Sequence, residues 1–414
     1  MQKSTLNDTP LASRLHIAIF GRRNAGKSSL INAITNQDIA LVSSVAGTTT
    51  DPVFKAMELL PIGPVVIIDT AGIDDEGELG ELRIKKTYQV LNKTDLAVLI
   101  IDGGMGVTGY DLEILERIRE KNIPVVGVIN KSDVAGYTPE EKETWEKRLG
   151  LKLVEVSALK RQGIEELKRE IINKAPSSFA ERPLIGDLIA PGDFVVLVVP
   201  IDKAAPKGRL ILPQQQTIRD VLDHGAIAVV TKETELKETL KNLAKKPRIV
   251  VTDSQAFARV AQDTPRDIPM TSFSILFARY KGDLAQLVEG VKAIKNLKPG
   301  DRVLIAEACT HHRQKDDIGT VKIPRWLTQI LGFDLDYTWT SGFGFPENLD
   351  EIKLVIHCGG CMINTKEMMY RLSLLKQKGI PVVNYGVFIA YATGILERAL
   401  EPIPEAASLL SPES

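Results

Sequence analysis

The segment GRRNAGKSS at 21–29 spaces its residues as G-x-x-x-x-G-K-[ST], with Gly21, Gly26, Lys27 and Ser28 at the fixed points. Such a loop curls backbone N–H groups around phosphates, so Asn24, Ala25 and Ser29 join the fixed points as cradle candidates. Lys27 neutralises the outer phosphates and the Ser28 hydroxyl ligates Mg²⁺. DTAG at 69–72 ends an apolar run, which puts Asp69 where it holds the metal through water and the Gly72 N–H beside a γ-phosphate. In NKSD at 130–133, Asn130 and Lys131 precede Asp133, whose carboxylate accepts from guanine N1–H and N2–H₂, a donor pair that adenine lacks. The short SAL, Ser157, Ala158 and Leu159, offers a backbone N–H to guanine O6. Four elements in this order, each at a strand end, read as a GTPase site with Lys27 and Gly72 among its catalytic residues.

A second concentration of chemistry lies late in the chain. The only cysteines are Cys309, Cys358 and Cys361, and three of the five histidines, His311, His312 and His357, stand beside them in CTHHR and HCGGC. An odd, sparse set is a poor disulfide framework, so metal or redox chemistry is the better reading. Glycines between Cys358 and Cys361 let both sulfurs turn onto one centre and let backbone N–H groups donate to sulfur. Glu307, two residues before Cys309, is a candidate weak oxygen ligand. Residue types alone leave three readings open: zinc held by three Cys and one His, an iron–sulfur cluster with a weak fourth position, or a redox thiol pair.

Positioning these groups requires strands, and the sequence supplies them. HIAIF at 16–20, PVVIID at 64–69, LAVLIID at 96–102 and IPVVGVIN at 123–130 alternate with helical patterns, which predicts an α/β fold with a mostly parallel sheet. FVVLVVPI, AIAVVT and RIVVTD predict a second α/β unit, and DRVLIAEAC, DYTWTSG, KLVIHCGG and PVVNYGV a third. The expected domains are therefore 1–178, 179–268 and 269–414. The middle one carries no catalytic constellation; His224 reads as a helix-ending residue and FVVLVVPI as a strand of a dimer interface or a buried core.

At 414 residues, 44% hydrophobic and 25% charged, the chain is long enough for several cores and is excluded from disordered and fibrous classes. Its formal charge of -1 lacks the basic excess of a general nucleic-acid binder. No apolar stretch reaches eighteen residues and the amino terminus has no h-region, so neither membrane nor export is expected and the expected location is the cytoplasm.

Over roughly residues 14–175 the pattern is similar to the TrmE, Era and Der branch of GTPases. The branch's switch segment G-[TV]-T-x-D is matched by Gly47, Thr48, Thr49, Thr50 and Asp51, and the resemblance implies that Thr49 is a catalytic Mg²⁺ ligand. It also implies that Asn24 ligates K⁺. Ile73 follows DTAG where many regulatory GTPases carry a glutamine, which implies slow intrinsic hydrolysis.

With C-x-H and H-C-x-x-C in a long α/β region behind such a domain, the whole chain resembles the HydF family, GTPase maturases of [FeFe]-hydrogenase. That resemblance implies a middle domain that dimerises and a [4Fe–4S] cluster on Cys309, Cys358 and Cys361. One iron then takes an exchangeable ligand, with His311, His357 and Glu307 as candidates for it. The implied role is a scaffold or carrier for a two-iron precursor made with HydE and HydG and passed to apo-hydrogenase HydA. The competing class is a ribosome- or tRNA-modification GTPase with a structural zinc domain.

Overall fold

The computed structural model describes residues 9–35, 53–70, 86–176, 183–200, 210–308, 317–342, 345–346 and 348–410. Two compact units divide the chain, 1–181 and 182–414. Three sheets stand where three α/β alternations were expected, one in the first unit and two in the second.

The first unit holds six strands in the order β2-β3-β1-β4-β5-β6. They are β1 (Leu15–Phe20), β2 (Val53–Leu59), β3 (Gly63–Asp69), β4 (Leu96–Asp102), β5 (Val125–Asn130) and β6 (Leu153–Glu155). Every pairing is parallel except β2 with β3. Burial on both faces follows from the near-continuous apolar runs. Leu15, Ile17 and Ile19 enter one core with Leu30 and Ile31, while Ala18 and Phe20 enter another with Ile114 and Ile118. Register levels the functional ends: Ile19 pairs with Asp69, and Asp102 with Asn130.

In the second unit, β7 (Phe194–Val198), β8 (Ile227–Thr231), β9 (Ile249–Thr252) and β10 (Met270–Ser272) form a parallel sheet in the order β10-β9-β7-β8. The strand within FVVLVVPI, β7, is an inner one, paired on both sides, so its edges are not open to another copy. The boundary expected after residue 268 falls just ahead of β10, which pairs with β9. His224 follows the helix Leu212–Asp223 and its Nδ1 lies 2.8 Å from the Asp220 carbonyl oxygen.

A third sheet has the order β12-β11-β13-β14, built from β11 (Arg302–Ala306), β12 (Asp336–Thr340), β13 (Ile352–His357) and β14 (Val382–Asn384). All its pairings are parallel. Val196 and Val198 of the second sheet share a single core with Val303, Ile305, Val355 and Val383 of the third, which is why these two sheets make one compact unit. Ala306 pairs with His357 and His357 with Asn384, so three strands of the third sheet end at one level.

Candidate functional site

The nucleotide loop leaves β1 at Gly21 and enters the helix Lys27–Thr35. Lys27 is buried, and its Nζ donates to the carbonyls of Gly21 at 2.8 Å and Arg22 at 2.7 Å. That cross-brace holds the loop curled around a single ammonium, the charge that phosphates would take over. Asn24 has a φ of 60° and Gly26 a φ of 90°. A side chain at Gly26 would collide with the Asn130 amide, so glycine is required there for space as well as for φ.

Ser28 Oγ donates to Asp69 Oδ2 at 2.7 Å. Burial raises the Asp69 pKa, against the Ser28 hydrogen bond and the fields of Lys27 and Lys55. A hydroxyl and a carboxylate that burial leaves short of positive charge make a hard-oxygen set that fits Mg²⁺. Asp69 is fixed here because it ends β3 level with β1, and Thr70 Oγ1 donates to the Ile19 carbonyl at 2.6 Å.

The base-recognition motifs are tied to the phosphate loop by one residue. Asn130 Nδ2 donates to the Ala25 carbonyl at 2.8 Å, and its Oδ1 accepts from the Ala158 N–H at 3.1 Å. Lys131, at a φ of 65°, reaches Asp102 Oδ2 at 2.7 Å. Asp102 was not a sequence candidate, although its place at the end of the LAVLIID run was the available signal. The Ser157 hydroxyl, with the charge of Lys160 as a lesser influence, holds the Asp133 carboxyl below the usual carboxylate range. Leu159 projects into solvent. Thr49 with its neighbours at 47–51, and Gly72 and Ile73, lie outside the described residues.

Asp133 therefore stays an anion through mildly acidic solution. Guanine affinity should persist as pH falls through the ordinary carboxylate range and vanish only when Asp133 takes a proton at its lowered pKa, since a protonated acid loses the paired acceptor. An Asp133→Asn variant, with one donor facing two donors, should lose at least about tenfold in GTP affinity. Competition between GTP and xanthosine triphosphate in a fluorescence titration checks this, because xanthine keeps the N1–H donor and puts a carbonyl acceptor where guanine has its N2 donor, which an asparagine amide can meet. Unchanged GTP preference would remove Asp133 from base recognition.

The second candidate centre gathers at the carboxyl ends of β11, β13 and β14. Cys358 is buried; its N–H donates to the Ala306 carbonyl at 2.8 Å, and its sulfur accepts from Ala308 N–H at 3.1 Å and Gly360 N–H at 3.4 Å. Burial pushes the Cys361 thiol up, the neighbouring Cys358 adds to this, and the Lys281 charge opposes both. A sulfur pair, one buried and one half-buried, with N–H groups already aimed at the buried one, becomes dithiolate only with added positive charge, which a thiophilic metal centre supplies. The residues therefore fit such a centre. Cys309, His311 and His312 lie outside the described residues.

Glu307 is 3% exposed and its Oε1 accepts from Tyr385 Oη at 3.1 Å. Burial and the adjacent Glu307 drive the Tyr385 pKa far up, so its hydroxyl remains a donor. Gly319 leaves room for this bond, since a Cβ there would strike the Tyr385 hydroxyl.

His357 is engaged at both nitrogens. Its Nδ1 is 2.7 Å from the Cys358 carbonyl oxygen, which can only accept, so Nδ1 carries the proton and Nε2 accepts from Arg371 Nη1 at 3.1 Å. Arg371, 1% exposed, also donates to Glu367 Oε1 at 2.6 Å and faces the Phe345 ring at 5.2 Å. A buried carboxylate, guanidinium and imidazole thus run in series to the Cys358 backbone. Neither Glu367 nor Arg371 was legible in advance, because charged residues on an amphipathic helix ordinarily face water.

Among the described residues no helix is long and apolar enough to cross a membrane.

Comparison with known proteins gives three family matches along the chain. Residues 16–131 match the family model of a 50S ribosome-binding GTPase. Residues 184–282 match the hydrogen maturase F dimerization domain, and residues 285–402 the hydrogen maturase F tetramerization domain. Curated relatives include the tRNA modification GTPase MnmE of Aquifex aeolicus, 39% identical over 166 residues that span 40% of this chain and 35% of the relative. The corresponding protein of Chromobacterium violaceum is 37% identical over 172 residues, 41% of this chain and 37% of the relative. The chain thus spans little more than a third of the length of these relatives. Similar solved structures include an Aquifex aeolicus Era variant bound to GDP.AlF4-, at 21% identity and a TM-score of 0.36, covering 60% of this chain and 99% of that one. Another is the FeoB G-domain from Methanococcus jannaschii, at 28% identity and a TM-score of 0.31, covering 39% of this chain and 97% of that one.

Proposed function

The chain belongs to the hydrogen maturase F family, and from that premise we propose that it is a GTP-hydrolysing maturation factor that carries a [4Fe–4S] cluster and transfers a two-iron unit. The observation that carries the proposal is the pair of backbone N–H groups, Ala308 and Gly360, aimed at the buried Cys358 sulfur in a chain that also has the GTPase loop. Ser28 and Asp69 hold Mg²⁺, Lys27 neutralises the phosphates and Asp133 selects guanine. Asn24, in its left-handed turn, is a K⁺ ligand. Ile73 has no carboxamide to orient the attacking water, so hydrolysis is slow and suits a switch.

Cys309, Cys358 and Cys361 hold the cluster. When bound, it supplies one iron whose fourth ligand exchanges, where the two-iron cargo can attach. Glu307 is the favoured fourth ligand, because its carboxylate lies one residue from the Ala308 amide that reaches Cys358, and Tyr385 orients it. His311 remains the alternative. His357 acts instead through its backbone bond to Cys358, since its two nitrogens already have partners. The chain oligomerises through its dimerization and tetramerization domains. It accepts the precursor made with HydE and HydG, delivers it to apo-HydA, and works in the cytoplasm.

Anaerobic reconstitution with iron and sulfide, followed by EPR of the reduced protein with and without imidazole, tests this reading. A [4Fe–4S] signal altered by imidazole is expected. Stoichiometric zinc and no cluster would overturn it in favour of an RNA-associated GTPase, the function named for the MnmE relatives.

A further inference from the structure

We infer that Lys281 is a positioning residue for the cysteine loop: its buried ammonium gathers the loop's carbonyls on one side, which fixes the turn that carries Cys361 and brings a positive charge beside it. The inference rests on reading this loop as a cluster ligand. Lys281 ends the helix Phe273–Lys281 and is 2% exposed. Its Nζ donates to the carbonyls of Gly360 at 3.2 Å, Cys361 at 3.1 Å and Ile363 at 2.9 Å.

A lysine at a helix end ordinarily extends its stem along the surface and leaves its charge in water. This one turns inward, where burying an ammonium costs several kcal/mol unless its donors are met. Three carbonyls meet the three donors of an ammonium. A methionine of similar length would fill the space without that cost, so packing alone does not account for a charge here.

Peptide geometry supplies the use. In a trans peptide the C=O and N–H point in opposite directions. Drawing the Gly360 and Cys361 carbonyls onto one ammonium therefore sends the N–H groups of Cys361 and Met362 the opposite way. Gly360, at a φ of 61°, permits the turn that this curl needs. Hydrogen bonds to sulfur and nearby net charge are among the factors that set a cluster's potential. Lys281 supplies the nearby charge and holds the carbonyls of the loop, while the Ala308 and Gly360 N–H groups supply the hydrogen bonds to the Cys358 sulfur.

Lys281→Met and Lys281→Arg in the full chain give the test, with two readouts. In cluster-free protein, Lys281→Met should speed amide hydrogen exchange across 360–363 by about tenfold relative to wild type, as the loop loses its anchor. In reconstituted protein, the same change should move the cluster's reduction potential to a more negative value, and Lys281→Arg should restore it towards wild type. A potential and an exchange rate both unchanged in Lys281→Met would overturn the inference, and so would Lys281→Arg behaving like Lys281→Met in both readouts. Should Lys281→Met fail to fold, Lys281→Gln removes the charge and keeps a donor, and the same two measurements apply. If wild type itself takes up no cluster, the proposed function falls, while the exchange comparison still decides whether Lys281 anchors the loop.

Discussion

Replacing Lys27 with alanine should abolish nucleotide binding while leaving iron uptake intact. Two effects add. The outer phosphates lose the P-loop lysine, and the carbonyls of Gly21 and Arg22, which the ammonium holds together at 2.8 and 2.7 Å, are released. Hydrogen bonds from a charged group contribute about 1.5–3 kcal/mol each, so losing two that the ammonium would give to the phosphates weakens nucleotide binding by more than about a hundredfold. Fluorescent GDP titration measures it directly. Because the sheet core beneath the loop is untouched, with Leu30 and Ile31 still packed on Ile17 and Ile19, the melting temperature should move little by comparison. Affinity within roughly threefold of wild type would show that the loop's backbone, and not its lysine, holds the phosphates.

The second large effect is expected at Cys358. Cys358→Ser keeps a hydrogen-bonding atom for Ala308 and Gly360 but replaces a soft thiolate by a hydroxyl that does not ionise near neutral pH and reaches less far. Iron and sulfide content after reconstitution should fall by more than about tenfold, a loss at least as large as those seen on removing partners of metal ligands. GTP turnover should be preserved, since every residue of the nucleotide site lies in 1–181. Full iron content with an unaltered EPR spectrum would remove Cys358 from the ligand set. The converse matters equally: a collapse of GTP turnover in this variant would show damage beyond the centre, and circular dichroism would then separate misfolding from lost metal.

The sequence by itself determined the local pieces. A strand followed by glycines and a helix start is a short-range pattern, so the loop at 21–28, the ends of β3, β4 and β5 and the C-x-x-C turn were all legible from neighbours in the chain. The α/β class was legible for the same reason, because strands buried on both faces must be apolar throughout. Tertiary structure decided who meets whom. Parallel strands bring together residues far apart in sequence, and register, which local spacing does not encode, sets which ones share a level. Asn130 joins the Ala25 carbonyl to the Ala158 amide only because β5 lies beside β4, itself beside β1. Lys281 reaches the cysteine loop because its helix packs within the second unit, and no spacing in the sequence links 281 to 361. His357 makes the point most clearly: beside a cysteine it reads as a ligand, yet burial against Arg371 and the Cys358 carbonyl engages both ring nitrogens, since a buried imidazole must satisfy each of them.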